Sequence, residues 1–249
     1  MTKRIAAAVV FLHVAPMPLL QAMPVIVIPP ANLLAQAGGW NATTAVLPKA
    51  AGEAVGRICD QAVANAFAVF VGNRPVVAPL SAKSLLPPQA DCVEIGASRI
   101  IGGIRPQNFD VSYRPDGVRF VYDNKTLNTR KSVGKNYQNM INDLGTEAAT
   151  VHIRFPLAVV AFVIMVPAPC LAAPHRAGLT GALERISGRQ SPVEIAHKAE
   201  VISLIVWDPT NGQVDPTWPA PGSALRIEDF SRQIEHAYMS RYGGMPPHV

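Results

Sequence analysis

Two unbroken apolar runs, Leu157–Val166 and Val201–Trp207, stand out in the second half of the chain. They neither alternate nor repeat at helical spacing, as expected of strands buried on both faces. Both are too short to cross a membrane as helices. Upstream, Pro48–Val71 places Val55, Cys59, Ala62, Ala66 and Phe70 near one face. Glu53, Arg57 and Gln61 form a polar stripe at spacing four, so a helix is predicted. Ser98–Ile104 predicts a first strand, bent at Gly102-Gly103. Tyr137, Met140, Ile141 and Leu144 predict a short amphipathic helix over Val133–Leu144, with Gly145 as its stop. Helical pieces near 175–187 and 191–199 and a closing helix over Arg226–Arg241 complete the pattern. Residues 72–90, with Pro75, Pro79, Pro87 and Pro88, read as loop. The order is helix, strand, hairpin, helix, buried strand, helix, buried strand, helix. It defines an α/β (α+β) fold, with a mixed sheet core flanked by helices on both sides.

The hairpin is the segment with chemistry in it. In Asn108–Lys125 (NFDVSYRPDGVRFVYDNK), Asp110, Ser112 and Arg114 alternate with Phe109, Val111 and Tyr113. Beyond the turn signal Pro115-Asp116-Gly117, Arg119, Val121, Asp123 and Lys125 alternate with Phe120, Tyr122 and Asn124. An even loop sets Arg114 against Arg119 and Asp110 opposite Asp123, with Cβ atoms roughly 5 Å apart. Pro-Asp-Gly also suits a three-residue loop with a glycine bulge, which would pair Asp110 with Tyr122 instead. Side-chain matching favours the even register, because it sets Tyr113 against Phe120 and Val111 against Tyr122. Two carboxylates beside an ammonium suit a hard divalent cation and a phosphate.

Charge sharpens this picture. The chain has 249 residues, a net charge of +5 and only 16% charged residues, so its cations can be concentrated on one polyanion-binding surface. Lys125–Lys135 (KTLNTRKSVGK) supplies such a cluster. Arg130, Lys131 and Lys135 stand among Asn128, Thr129 and Ser132, side chains that suit phosphate and base-edge contacts, and Gln138 follows one turn into the predicted helix. Cys59, Cys92 and Cys170 are isolated and odd in number, which implies neither a zinc site nor a disulfide framework and points to a cytoplasmic protein. Residues 1–47 are apolar and proline-rich. Lys3-Arg4 followed by Ile5–Val14 is similar to the start of a secretory signal, but the interrupting prolines and a poor cleavage site favour a buried arm or dimerisation element. The expected division is therefore an arm over 1–47 and a main domain over 48–249.

The element order and the set Asp110, Asp123 and Lys125 resemble the PD-(D/E)XK nuclease superfamily, which includes most type II restriction endonucleases. In that family one hairpin strand carries an aspartate and the next an acidic-x-lysine triplet, here Asp123-Asn124-Lys125. The literal Pro115-Asp116 pair is a turn former at the hairpin tip rather than part of the motif. The resemblance covers roughly residues 50–207 and implies a restriction-endonuclease-like domain. It also implies Mg2+ held by Asp110, Asp123 and the carbonyl of Asn124, with Lys125 orienting or deprotonating the attacking water. Many members add an acid from the helix before the sheet, for which Glu53 is the first candidate and Glu94 the second.

These features lead to a magnesium-dependent endonuclease cutting double-stranded DNA at a specific site, as a homodimer not associated with a membrane. A structure-specific repair or defence nuclease of the same fold is the alternative within the class. Outside it stands a non-catalytic, exported binding protein whose aspartates are incidental. Neither a GxxxxGK[ST] loop nor a GxSxG elbow occurs, which disfavours NTPase and esterase chemistry.

Overall fold

A computed structural model describes residues 22–26 and 39–248, apart from the side chains of Ser132 and Lys135. Its strands are β1 (Val76–Val77), β2 (Val93–Ile101), β3 (Pro106–Tyr113), β4 (Phe120–Thr126), β5 (Val159–Pro167) and β6 (Val201–Trp207). The helices are α1 (Lys49–Phe70), α2 (Arg130–His152), α3 (Ala173–Ile186) and α4 (Phe230–Tyr242). The strands form one mixed sheet in the order β1-β2-β3-β4-β5-β6. β2, β3 and β4 are antiparallel neighbours, whereas β4, β5 and β6 run parallel through crossovers containing α2 and α3.

The core lies in two layers, one on each face of the sheet. Val159, Ala161, Val163 and Met165 of β5 pack with α1 and α4. Val160, Phe162, Ile164 and Val166 pack with α2 and α3. This double burial is why β5 reads as an unbroken apolar run, and β6 repeats the pattern. Phe67 of α1 stacks on Phe120 at the start of β4, with ring centroids 4.0 Å apart, and so fixes that helix against the hairpin. Among the described residues no helix is long and apolar enough to cross a membrane.

Several elements depart from the expected bounds. α2 continues eight residues past the predicted stop at Leu144, through Gly145 to His152. Residues 191–199 form turns rather than a helix, and Glu194 Oε1 accepts the backbone N–H groups of Gln190 (3.1 Å) and Ser191 (3.2 Å) there. β2 begins at Val93 rather than Ser98. Of the proposed arm, residues 22–26 and 39–47 are described. Met23 and Ile26 enter the core, and their backbone N–H groups donate to Glu235 and Ser231 of α4, both at 2.9 Å. The signal-like stretch over residues 3–14 lies outside the described residues.

Glu94, the second candidate for the helix acid, lies inside β2 and is fully buried. It accepts Nε (2.5 Å) and Nη2 (2.8 Å) of Arg114 and the Ser112 hydroxyl (3.0 Å). Arg114 thus turns to Glu94, while Arg119, its expected hairpin partner, binds Asp116 in the turn. Arg114→Ala would strand a buried carboxylate and should lower the unfolding free energy by about 3 kcal/mol or more in urea titration at neutral pH. A loss under about 1 kcal/mol would mean that water reaches Glu94 freely.

Candidate active site

The hairpin pairs Tyr113 with Phe120, Ser112 with Val121 and Val111 with Tyr122, the register that side-chain matching favours. The regular ladder ends there, just before Asp110 and Asp123. β2 shifts register between Ile95 and Ser98, at Gly96 (φ 108°), on the other side of the same stretch of β3. Phe109 enters the layer with α2, while Val111 and Tyr113 enter the layer with α1. The expected strict alternation, with Phe109 on the same face as Val111 and Tyr113, therefore breaks at Asp110. Where the strands part, the Asp110 carboxylate takes the place of a ladder acceptor. Its Oδ2 accepts the backbone N–H of Asn124 at 3.1 Å and the Asn124 side-chain amide at 2.9 Å.

Asn124 links this carboxylate to α1. Its amide nitrogen also donates to Asp60 Oδ1 at 2.7 Å. The helix comes this close because Gly56 faces the strand: a Cβ there would lie 2.5 Å from Asn124 Oδ1. Gly52, one turn earlier, abuts Asn128 in the same way. Gly52, Gly56 and Asp60 recur at spacing four, so the face that permits the approach also delivers the acid.

On the opposite layer, the Lys125 ammonium donates to Asp123 Oδ2 and, at 2.9 Å, to Glu147 Oε1 of α2. Gln107 Nε2 donates to the same Glu147 oxygen at 3.1 Å. Asn124 thus joins the carboxylates of Asp60 and Asp110, while Lys125 joins those of Asp123 and Glu147. Asp60 is only 7% exposed; burial, then the charge of Asp110, push its pKa up to about 8 against the Asn124 hydrogen bond and Arg57. Burial, then hydrogen bonding to Asp110, hold Asp123 well above the usual carboxylate range, with Lys125 opposing. Burial works against the Lys125 charge, but Asp123 and Glu147 outweigh it and raise the pKa above the ordinary lysine value. Lys125 is therefore an ammonium.

The structure brings Asp110, Asp123, Asn124 and Lys125 together. It does not bring Glu53, the expected helix acid, which is 52% exposed and pairs with Lys49 at 3.5 Å. Glu53 lies seven residues, two turns, before Asp60, so it shares that side of α1 but sits about 10 Å further along the axis, where it is exposed. Sequence reasoning missed Asp60, whose one signal was its spacing of four from Gly52 and Gly56, and Glu147, which lay beyond the predicted end of α2.

The expected DNA-binding residues divide. Lys131 is exposed. Arg130 is exposed and donates to the Pro169 carbonyl through Nε (3.1 Å) and Nη2 (3.0 Å). The Asn128 amide donates to Thr126 (3.1 Å), and Thr129 bridges to Val46. The side chains of Ser132 and Lys135 lie outside the described residues. Gln138 precedes Glu147 by nine residues, two and a half helical turns, so it points away from the Lys125 cluster. It lines a groove between α2 and α3 with Asn142, Gly178 and Arg185.

The donor set suits Mg2+. Asp110, Asp123 and the Asn124 carbonyl all offer hard oxygen. Among the described residues no three His, Cys, Asp or Glu side chains form a ready-made metal cage. Mg2+ needs only one or two carboxylates, with water and substrate phosphate completing its shell. Compared with protein-family models, curated proteins and solved structures, the chain matches none of them.

Proposed function

We propose that this chain is a magnesium-dependent DNA endonuclease of the PD-(D/E)XK type. The observation that carries the reading is the convergence of Asp110, Asp123 and Lys125 at the point where β3 and β4 part. The order α1-β2-β3-β4-α2-β5 supports it, as the order that the family resemblance implies. Asp110 and Asp123 are the residues to hold the ion, joined by the carbonyl of Asn124. A bound Mg2+ supplies Lewis acidity at the scissile phosphate. The Lys125 ammonium offers a fixed positive charge to the pentacovalent phosphorane-like transition state. Its raised pKa makes it a charge stabiliser or proton donor rather than the base. Asp60 and Asp110 orient the Asn124 amide from two sides and so hold the strand in place. Exposed Arg57, three residues before Asp60, stands ready for a DNA phosphate.

Within this reading, a type II restriction enzyme acting as a homodimer fits the size and the basic, charge-poor composition. Supercoiled plasmid and phage DNA, incubated with the protein in magnesium and separately in EDTA, provide the test. Discrete fragments in magnesium alone are expected, and light scattering should find a dimer. Smeared products would favour the structure-specific alternative. Absence of cleavage on every DNA would remove the nuclease reading.

A further inference from the structure

We propose that Glu147, seated by Gln107, is the positioning residue for Lys125, a role resting on the nuclease reading above. A lysine ammonium at the end of a flexible four-carbon stem does not hold a single position by itself. Here the ammonium is gripped from two sides, by Asp123 of its own strand and by Glu147 at 2.9 Å from a separate helix. The second grip matters more once a cation competes for Asp123, because Glu147 then remains to hold the ammonium.

Glu147 has little other structural work. It is 4% exposed, and its Oε1 takes both Lys125 and the Gln107 amide at 3.1 Å. Its Oε2 is buried with no hydrogen-bond partner. A carboxylate that only stabilised the fold would be expected to satisfy both oxygens, since leaving one bare and buried is costly. Gln107 lies on β3, three residues before Asp110, so the strand that carries the first aspartate also sets the angle of the clamp. The clamp thus ties α2 to both strands of the hairpin.

The test is a double-mutant cycle read by single-turnover cleavage of supercoiled plasmid in magnesium, with DNA affinity and melting temperature measured for every protein. Glu147→Ala should slow cleavage about 10- to 100-fold, the scale of a misplaced catalytic group, with DNA affinity unchanged. Glu147→Gln, which keeps an acceptor for both partners and guards against a folding defect, should lose less. Gln107→Ala should slow cleavage by a smaller factor still. In a Lys125→Ala background, Glu147→Ala should cost almost nothing more, because the group it positions is gone. An undiminished effect in that background, or a wild-type rate for Glu147→Ala, overturns the inference and leaves the nuclease reading standing. Equal rates for wild type and Lys125→Ala would instead strike at the nuclease reading itself.

Discussion

Alanine at Asp110 or at Asp123 should slow magnesium-dependent DNA cleavage by about 10³-fold or more. A metal clamp at a phosphoryl centre supplies several kcal/mol of transition-state stabilisation, and each 1.36 kcal/mol is a factor of ten. DNA affinity measured in EDTA should hold or tighten, because a carboxylate facing phosphate is removed. Neither variant should unfold. Asp123 is held among repelling acids, and Asp110 leaves only an Asn124 N–H and amide to re-pair. Near-wild-type cleavage by either variant would detach the hairpin acids from the chemistry. Melting curves recorded in parallel separate lost activity from lost fold.

Asp60→Asn should stabilise the protein at pH 8. The carboxyl has a folded-state pKa of about 8, against an unfolded value of roughly 3.9. The folded state therefore binds the extra proton. The stability this group contributes is complete below about pH 4 and is lost as pH rises through about 8. Asparagine cannot ionise, and its carbonyl can still accept from the Asn124 amide. The expected gain is on the order of 2 kcal/mol in EDTA at pH 8, fading toward pH 4, and urea titrations across that range would measure it. Magnesium should narrow the gap, because a bound cation favours the ionised carboxyl. Glu53→Ala, exposed two turns earlier on the same helix, should leave both stability and cleavage nearly unchanged. An Asp60→Asn protein no more stable than wild type at pH 8 would place Asp60 outside the charge balance of the cluster.

These two acids also mark how far the chain could be read. β5 and β6 were legible because burial on both faces demands apolar residues at every position, and no helix of that length shares the pattern. The hairpin register was legible because aromatic rings sit opposite one another only in the even alignment. One error has a local cause. Gly145 reads as a stop, yet it lies inside α2, where packing overrides the local cost of about 1 kcal/mol. The helix acid was not legible from composition, because Glu53, Asp60 and Glu94 are all within reach along the chain. Docking selects among them, through the close approach at Gly56 and the Phe67–Phe120 stack. Glu147 escaped because its helix was expected to have ended before it.

Among the described residues, the order of strands across the sheet follows the order of the chain. As the polypeptide leaves the ribosome, each new strand can therefore join at an open margin of what has already formed. No completed pair has to separate to admit a latecomer. The parting of β3 and β4 at Asp110 can therefore be in place before β5 arrives, so assembly can reach that crevice from its finished side.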